Sequence, residues 1–161
     1  MKSKHYVAIT PIVTLTRLLK VGIVMGFRPF QICMFSEVNA VVTLHGKPVA
    51  GAEIVRTSNE LDSKVYTDKT TTDAQGRFHF NALWVFSLRH FMPLLHPMVE
   101  QHITIYYQGK AHMGFDHSKN GYGHNEELDD DKPLNFTCEL SDEPSIKYQE
   151  VAGNIKGICK W

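Results

Sequence analysis

The stretch from Val38 to Phe80 constrains the fold more than any other part of the chain. Val38, Ala40, Val42 and Leu44 alternate with Asn39, Val41 and Thr43, so one set faces a core and the other faces away, the period-two pattern of a half-buried strand. His45-Gly46-Lys47-Pro48 then supplies a turn, glycine being free to take positive φ and proline arriving with φ already set. A second strand follows through Ala52, Ile54 and Thr57, and the β-branched run Val65 to Thr71 makes a third after a polar loop over 58–63. Asp73-Ala74-Gln75-Gly76 fits a type I turn, with Asp in first position and Gly in fourth. It feeds a strand in which Phe78 and Phe80 point inward and Arg77 and His79 outward.

The second half repeats this grammar. Ile103, Ile105 and Tyr107 alternate with Thr104, Tyr106 and Gln108, and Gln108-Gly109-Lys110 reads as a hairpin connection to a strand over Ala111 to Phe115. Leu134, Phe136, Cys138 and Leu140 alternate with Asn135, Thr137 and Glu139. Seven short strands, with no βαβ alternation, internal repeat or Gly-rich phosphate loop, predict an all-β sandwich.

Composition narrows the class. The 161 residues suit one domain with its own core, and 17 basic against 17 acidic side chains argue against a nucleic-acid footprint or a polybasic membrane patch. Cys33, Cys138 and Cys159 have no CxxC spacing, which argues against a disulfide scaffold or a zinc knuckle and leaves room for one bridge with a spare thiol. Cys33 and Cys138 pair if the first and last strands are neighbours and the compartment is oxidising. Otherwise Cys138, on an inward strand face, is a buried and inert thiol.

Residues 1–33 read as an N-terminal extension. Lys2 and Lys4 precede the apolar run Tyr6 to Leu19, as in a signal peptide, but Pro11, Arg17 and Lys20 interrupt it and no small-x-small site follows. The run is too short between charges for a membrane span. Three readings stay open: a leader upstream of a start at Met25 or Met34, an export or anchoring segment, and a packed helix. A cytoplasmic location is slightly favoured over a periplasmic or membrane-associated one, and membrane contact requires this segment to be retained.

Val41-Val42-Thr43-Leu44-His45-Gly46-Lys47-Pro48-Val49-Ala50-Gly51-Ala52-Glu53-Ile54, followed by Thr72-Asp73-Ala74-Gln75-Gly76-Arg77-Phe78-His79-Phe80, resembles the carboxypeptidase regulatory-like family. That resemblance implies a seven-stranded Greek-key, transthyretin-like (prealbumin-like) β-sandwich over residues 34–140. It also implies a mostly non-catalytic role as an appendage, stalk or binding domain. Ile105-Tyr106-Tyr107-Gln108-Gly109-Lys110 and Lys132-Pro133-Leu134-Asn135-Phe136-Thr137-Cys138-Glu139-Leu140 resemble short uncharacterised bacterial proteins that carry this domain alone.

Two segments depart from the plain module and supply the candidate site. Leu83 to Met98 is too apolar for a surface loop and is expected to form a short helical or irregular insertion. It either caps an open end of the sandwich or docks a partner through Trp84, Phe86, Phe91 and Met92. The loop from Lys119 to Lys132 places Tyr122 and His124 among glycines, then five acids between Glu126 and Asp131. Tyr122, His124, Glu126 and Asp129 are its candidate partner-binding residues, against the plainer reading of a solvated loop without EF-hand spacing.

His112, His117 and His124 have ligand chemistry but match no metal motif, so no metal or cofactor is expected. No serine sits in Gly-x-Ser-x-Gly, and no catalytic residue is assigned. The tail, 141–161, is expected to dock on the sandwich through Ile158 and Trp161. The expected function is a non-catalytic protein-interaction module, immunity-like in neutralising a partner by occlusion. An envelope-associated structural or ligand-binding module is the alternative, and a metal-binding enzyme a distant third. The chain is expected to act as a monomer or, through its edge strands, a homodimer.

Overall fold

The computed structural model describes residues 30–60, 64–88, 97–129 and 131–161. Among them the regular structure is all β, in thirteen strands. In chain order these are β1 (Gln31–Phe35), β2 (Val38–Leu44), β3 (Lys47–Pro48), β4 (Glu53–Glu60), β5 (Tyr66–Thr71), β6 (Arg77–Phe80), β7 (Leu83–Phe86), β8 (Val99–Tyr107), β9 (Lys110–Lys119), β10 (Leu134–Glu139), β11 (Ser145–Gln149), β12 (Gly153–Gly157) and β13 (Cys159–Lys160). All seven strands expected from periodicity are present. No helix among the described residues is long and apolar enough to cross a membrane.

Two sheets carry the architecture. One runs β13-β10-β2-β3 with β6 also on β2, and the other runs β11-β12-β9-β8-β4-β5. The alternation set the facing residues: Val38, Ala40 and Val42 of β2, Phe78 and Phe80 of β6, and Leu134 and Phe136 of β10 meet Ile54, Ile103, Ile105 and Phe115 in one core. Two layers closed over a shared apolar interior make a β-sandwich.

The turns obey local chemistry. His45 and Gly46 take φ of 52° and 74°, and Gln108 and Gly109 take 48° and 75°. Each pair closes a two-residue hairpin, Leu44 opposite Lys47 and Tyr107 opposite Lys110. Positive φ at both positions is the type I′ geometry that matches the twist of flanking strands. In the expected type I turn, Gly76 donates to the Asp73 carbonyl at 2.9 Å, and the Asp73 carboxylate accepts from the N–H of Gln75 and Arg77. Gly76 has φ of 73°, and a Cβ there would collide with the Val42 carbonyl oxygen and lie 3.1 Å from the Val49 nitrogen. Gly76→Ala is therefore expected to cost about 2 kcal/mol. A urea midpoint equal to that of the unaltered chain would refute this account of the turn.

Four expectations change. The N-terminal boundary expected at Met34 falls inside β1, where Ile32 and Cys33 are buried. Within the expected helical or irregular insertion, Leu83–Phe86 is a strand, paired antiparallel with β1 in a separate two-stranded ribbon. The tail does more than dock: β11 and β12 extend the six-stranded sheet, and β13 joins β10. Cys138 pairs with Cys159, and Cys33 is a buried free thiol. The pairing follows from register, because β13 sets Cys159 directly opposite Cys138.

Candidate functional site

The inner face of the six-stranded sheet changes character along its length. At one end Ile54 and Ile105 are apolar neighbours; one step on, Arg56, Ile103 and Phe115 align. The next rows are Ser58, Gln101 and His117, then Glu60, Val99 and Lys119. All of these side chains are buried, so the polar end must be satisfied from within.

Arg56 shows how this is done at the margin. Its guanidinium lies 5.3 Å from the Phe35 ring and 4.6 Å from the Phe80 ring, donates to the Asn81 carbonyl at 2.8 Å and pairs with Asp68. The delocalised cation is thereby held by ring faces and acceptors together.

The polar end is capped by β1 and the 120–129 loop. Lys119 Nζ donates to the carbonyls of Cys33 at 2.9 Å and Gly123 at 2.7 Å, and lies 3.3 Å from Glu127 Oε1. Both side chains of this ion pair are fully buried. Glu127 also accepts from the Ser36 N–H at 2.9 Å, the Ser36 hydroxyl at 2.7 Å and Gln101 Nε2 at 3.0 Å. Burial alone would push the Glu127 carboxyl up, but Lys119 and the hydrogen bonds from Gln101 and Ser36 outweigh it and hold it below its ordinary range. The network joins β1, β8, β9 and the loop into one block. It is closed to solvent, so its chemistry is structural: burial pushes the Cys33 thiol up, away from thiolate reactivity.

On this block stands the aromatic end of the molecule. Trp84 stacks on His124, with ring centroids 5.8 Å apart and planes inclined at 23°. Phe86 is 70% exposed and lies 6.2 Å from Phe30, itself 49% exposed, with Leu88 exposed close by in the chain. Tyr122 packs against a second small core of Ile32, Met34 and Val99, and its hydroxyl bonds to Glu60.

The structure thus stacks Trp84 on His124, joining two segments far apart in sequence, and packs Tyr122 in the second small core instead. Glu126 is turned back on its own loop, accepting from the Gly123 N–H at 2.7 Å. Asp129 points elsewhere: its carboxylate accepts from the N–H groups of Glu150, Val151 and Ala152 at 2.8 to 3.0 Å, which pins the β11–β12 turn. Phe91 and Met92 lie outside the described residues. His112, His117 and His124 diverge, His117 facing inward beside the Asn154 carbonyl at 3.3 Å. Among the described residues no group of three His, Cys, Asp or Glu side chains could hold a metal. Lys119, Glu127, Ser36 and Gln101 were missed by the sequence reading. The signal was the continuation of β9 alternation through Phe115, His117 and Lys119, which placed a lysine on the inner face.

Three carboxylates and one imidazole give the fold a defined pH response. Glu139 is held well below its ordinary range by the Ser141 hydroxyl, the Gly46 N–H and further bonds from Ser141 and Thr43. Asp129 is lowered by the N–H groups of Ala152, Val151 and Glu150, and Glu127 as described. Depressed carboxyl values stabilise the fold above the unfolded value of about 4 and lose that contribution as pH falls through the folded values. Burial pushes the His117 imidazole down, so its contribution is complete above about pH 6.5 and fades as the unfolded chain takes up a proton that the folded chain refuses. The urea midpoint is expected to hold steady near neutrality, decline below about pH 6.5 and fall steeply below about pH 4. A midpoint unchanged down to the lower pH would contradict these assignments.

Fold and site together define an all-β sandwich whose ribbon end carries an aromatic cluster on a buried ionic base. Residues 38–143 match the model of a domain of unknown function, DUF6795, and the chain belongs to that family. The match includes the Lys119–Glu127 pair but stops short of β1 and of β11 to β13, which supply Ser36's neighbouring strand and Cys159. No curated protein matches the chain.

Proposed function

We propose that this chain is a non-catalytic protein-interaction module that docks a partner on the aromatic ribbon end, immunity-like in acting by occlusion. The observation that carries the reading is the exposure of Phe86, Phe30 and Leu88 beside the stacked Trp84 and His124 on a buried, hydrogen-bonded base. Contiguous exposed aromatics mark docking surfaces, and a rigid support lowers the entropy lost on binding. In this reading β2, β4, β5, β6, β8, β9 and β10 are the seven strands of a Greek-key, transthyretin-like core. The ribbon and the C-terminal strands are additions to it.

The test places a photo-crosslinking phenylalanine derivative at position 86 in the native cell, with the same residue at Tyr148 as a remote control. A discrete cross-linked protein at position 86, lost on Trp84→Ala with the fold retained by circular dichroism, is the expected result. Equal cross-linking at both positions, or none at either, would sink the proposal. The second reading, an envelope-associated module, is favoured by the Cys138–Cys159 bridge, since such bonds persist in oxidising compartments.

A further inference from the structure

Of the asparagines in this chain, one stands apart. Asn120 is followed by glycine, whereas Asn39, Asn59, Asn81, Asn125, Asn135 and Asn154 all precede residues that carry a side chain. Most of the others are also held. Asn39 and Asn59 donate to the carboxylates of Glu37 and Glu100, Asn81 lies 3.1 Å from His79 Nε2, and Asn135 donates to the Pro133 carbonyl. Asn120 sits just past the end of β9 and is exposed. Among the described residues no hydrogen bond engages its side chain or the N–H of Gly121.

A nucleophile therefore stands beside an electrophile with nothing to restrain either. Gly121 has no side chain to shield its nitrogen, which lies at five-membered-ring distance along the chain from Asn120 Cγ. The glycine is itself required by packing. A Cβ there would collide with the Glu126 carboxylate, which turns back onto the loop to accept from the Gly123 N–H at 2.7 Å. The side chain that would slow a reaction at this junction is thus forbidden. We propose that Asn120 and Gly121 form a self-modifying junction, whose conversion to an isoaspartyl link loosens the 120–129 loop. The Gly121 nitrogen bonds to Asn120 Cγ, the Cγ–Nδ2 bond breaks, and ammonia leaves with the proton that Gly121 gave up. Water then opens the cyclic imide at one of its carbonyls. Opening at the main-chain carbonyl leaves the chain running through the side chain of residue 120, with one extra carbon in its path and a new carboxylate.

The extra carbon falls between fixed points. On one side Lys119 is fully buried, its Nζ donating to the Cys33 carbonyl at 2.9 Å and lying 3.3 Å from Glu127. On the other, the Tyr122 carbonyl accepts from the Cys33 N–H at 2.9 Å and the Gly123 carbonyl accepts from Lys119 Nζ at 2.7 Å. Lys119 and β1 thus grip the chain on both sides of a junction whose length changes, so some of these bonds must open. The new carboxylate also arrives close to that of Glu126, a like charge on the same short loop. His124, stacked on Trp84, rides on this loop. Modification would therefore disturb the docking face from behind, a consequence that rests on the function proposed above, whereas the reaction itself does not.

The test ages the purified full chain at physiological temperature, at neutral and at mildly alkaline pH, and follows every asparagine by peptide mapping. Asn120 alone is expected to gain the mass of amide-to-acid conversion, faster at alkaline pH because the Gly121 nitrogen must lose a proton. Methylation by protein isoaspartyl methyltransferase marks the isoaspartyl fraction. That fraction is expected to show a lower urea midpoint than the fresh chain, with Cys33 open to alkylation before denaturation. Freshly purified Asn120→Asp, which adds the charge without the carbon, should keep the midpoint of the unaltered chain, and Asn120→Ser should abolish the mass change. The inference is overturned if Asn120 stays an amide, if other asparagines convert as fast, if the aged chain keeps its midpoint, or if Asn120→Asp reproduces the loss. Mapping uses the chain without a partner, so it succeeds or fails whatever cross-linking at position 86 shows.

Discussion

Replacing Lys119 by methionine is expected to lower stability by about 4 kcal/mol, the largest effect of any single substitution considered. Methionine fills the volume of the lysine stem but leaves Glu127 as a buried carboxylate without its cation, and leaves the carbonyls of Cys33 and Gly123 without a donor. The loss is therefore mostly the penalty of stranded groups rather than the attraction of the pair. Two consequences separate this from a simple packing defect. First, the double variant Lys119→Met, Glu127→Leu should recover part of the loss, because it removes the stranded charge. Second, without Lys119 the burial of Glu127 is no longer outweighed, so its folded pKa rises above the unfolded value. Stability then declines as pH rises through that range, opposite in sign to the contribution of the pair in the unaltered chain. Urea denaturation of four proteins across pH, the unaltered chain, Lys119→Met, Glu127→Leu and the double variant, measures both. Additive effects of the two substitutions, or a loss independent of pH, would show that the pair is not the fastener of β1 and the loop.

The difference between what the residues announced and what they concealed follows interaction range. Alternation in β2, β6, β8 and β10 was legible because one face of each is apolar, and the type I turn at Asp73 was legible because its hydrogen bonds span four residues. Where the inner face turns polar, at Ser58, Gln101, His117 and Lys119, the same period of two continues but hydrophobicity no longer reports it. A lysine there looks like the start of a loop until Glu127 and the carbonyl of Cys33 are brought against it by the fold. β1 and β7 were hidden for a related reason: both sit in segments whose apolar character was visible, but their mutual pairing joins residues some fifty positions apart. At the site, Trp84, Tyr122 and His124 were legible as unusual residues on unusual segments. The stacking of Trp84 on His124 was not, because it depends on that same long-range pairing. Asp129 shows the converse: an acid in an acidic loop reads as solvated or partner-facing, while three N–H groups from a distant turn already claim it.

Removal of the Cys138–Cys159 bridge is the second large effect, expected at about 3 kcal/mol from the closure of a loop with a sequence separation of 21 residues. The bond matters more than its position near the C-terminus suggests. β13 makes only two ladder pairs with β10, Thr137 with Lys160 and Cys138 with Cys159, too few to hold a terminal strand against its own entropy. Yet Ile158 and Cys159 are buried, and the Trp161 ring lies 6.3 Å from Phe136. The bridge therefore fixes residues that close one margin of the main core. Cys138→Ala with Cys159→Ala should lower the urea midpoint and make the last residues, from Ile158 on, the first site of proteolysis. β12 should remain in its ladder with β9. Cys33→Ala is expected to differ from this double variant, because its buried thiol closes no loop. Thiol counting fixes the pairing directly: alkylation in denaturant without reductant should label Cys33 alone, and all three cysteines after reduction. Labelling of Cys159 before reduction, or a Cys33–Cys138 peptide pair, would place the bond elsewhere and remove the reason for the tail to be ordered.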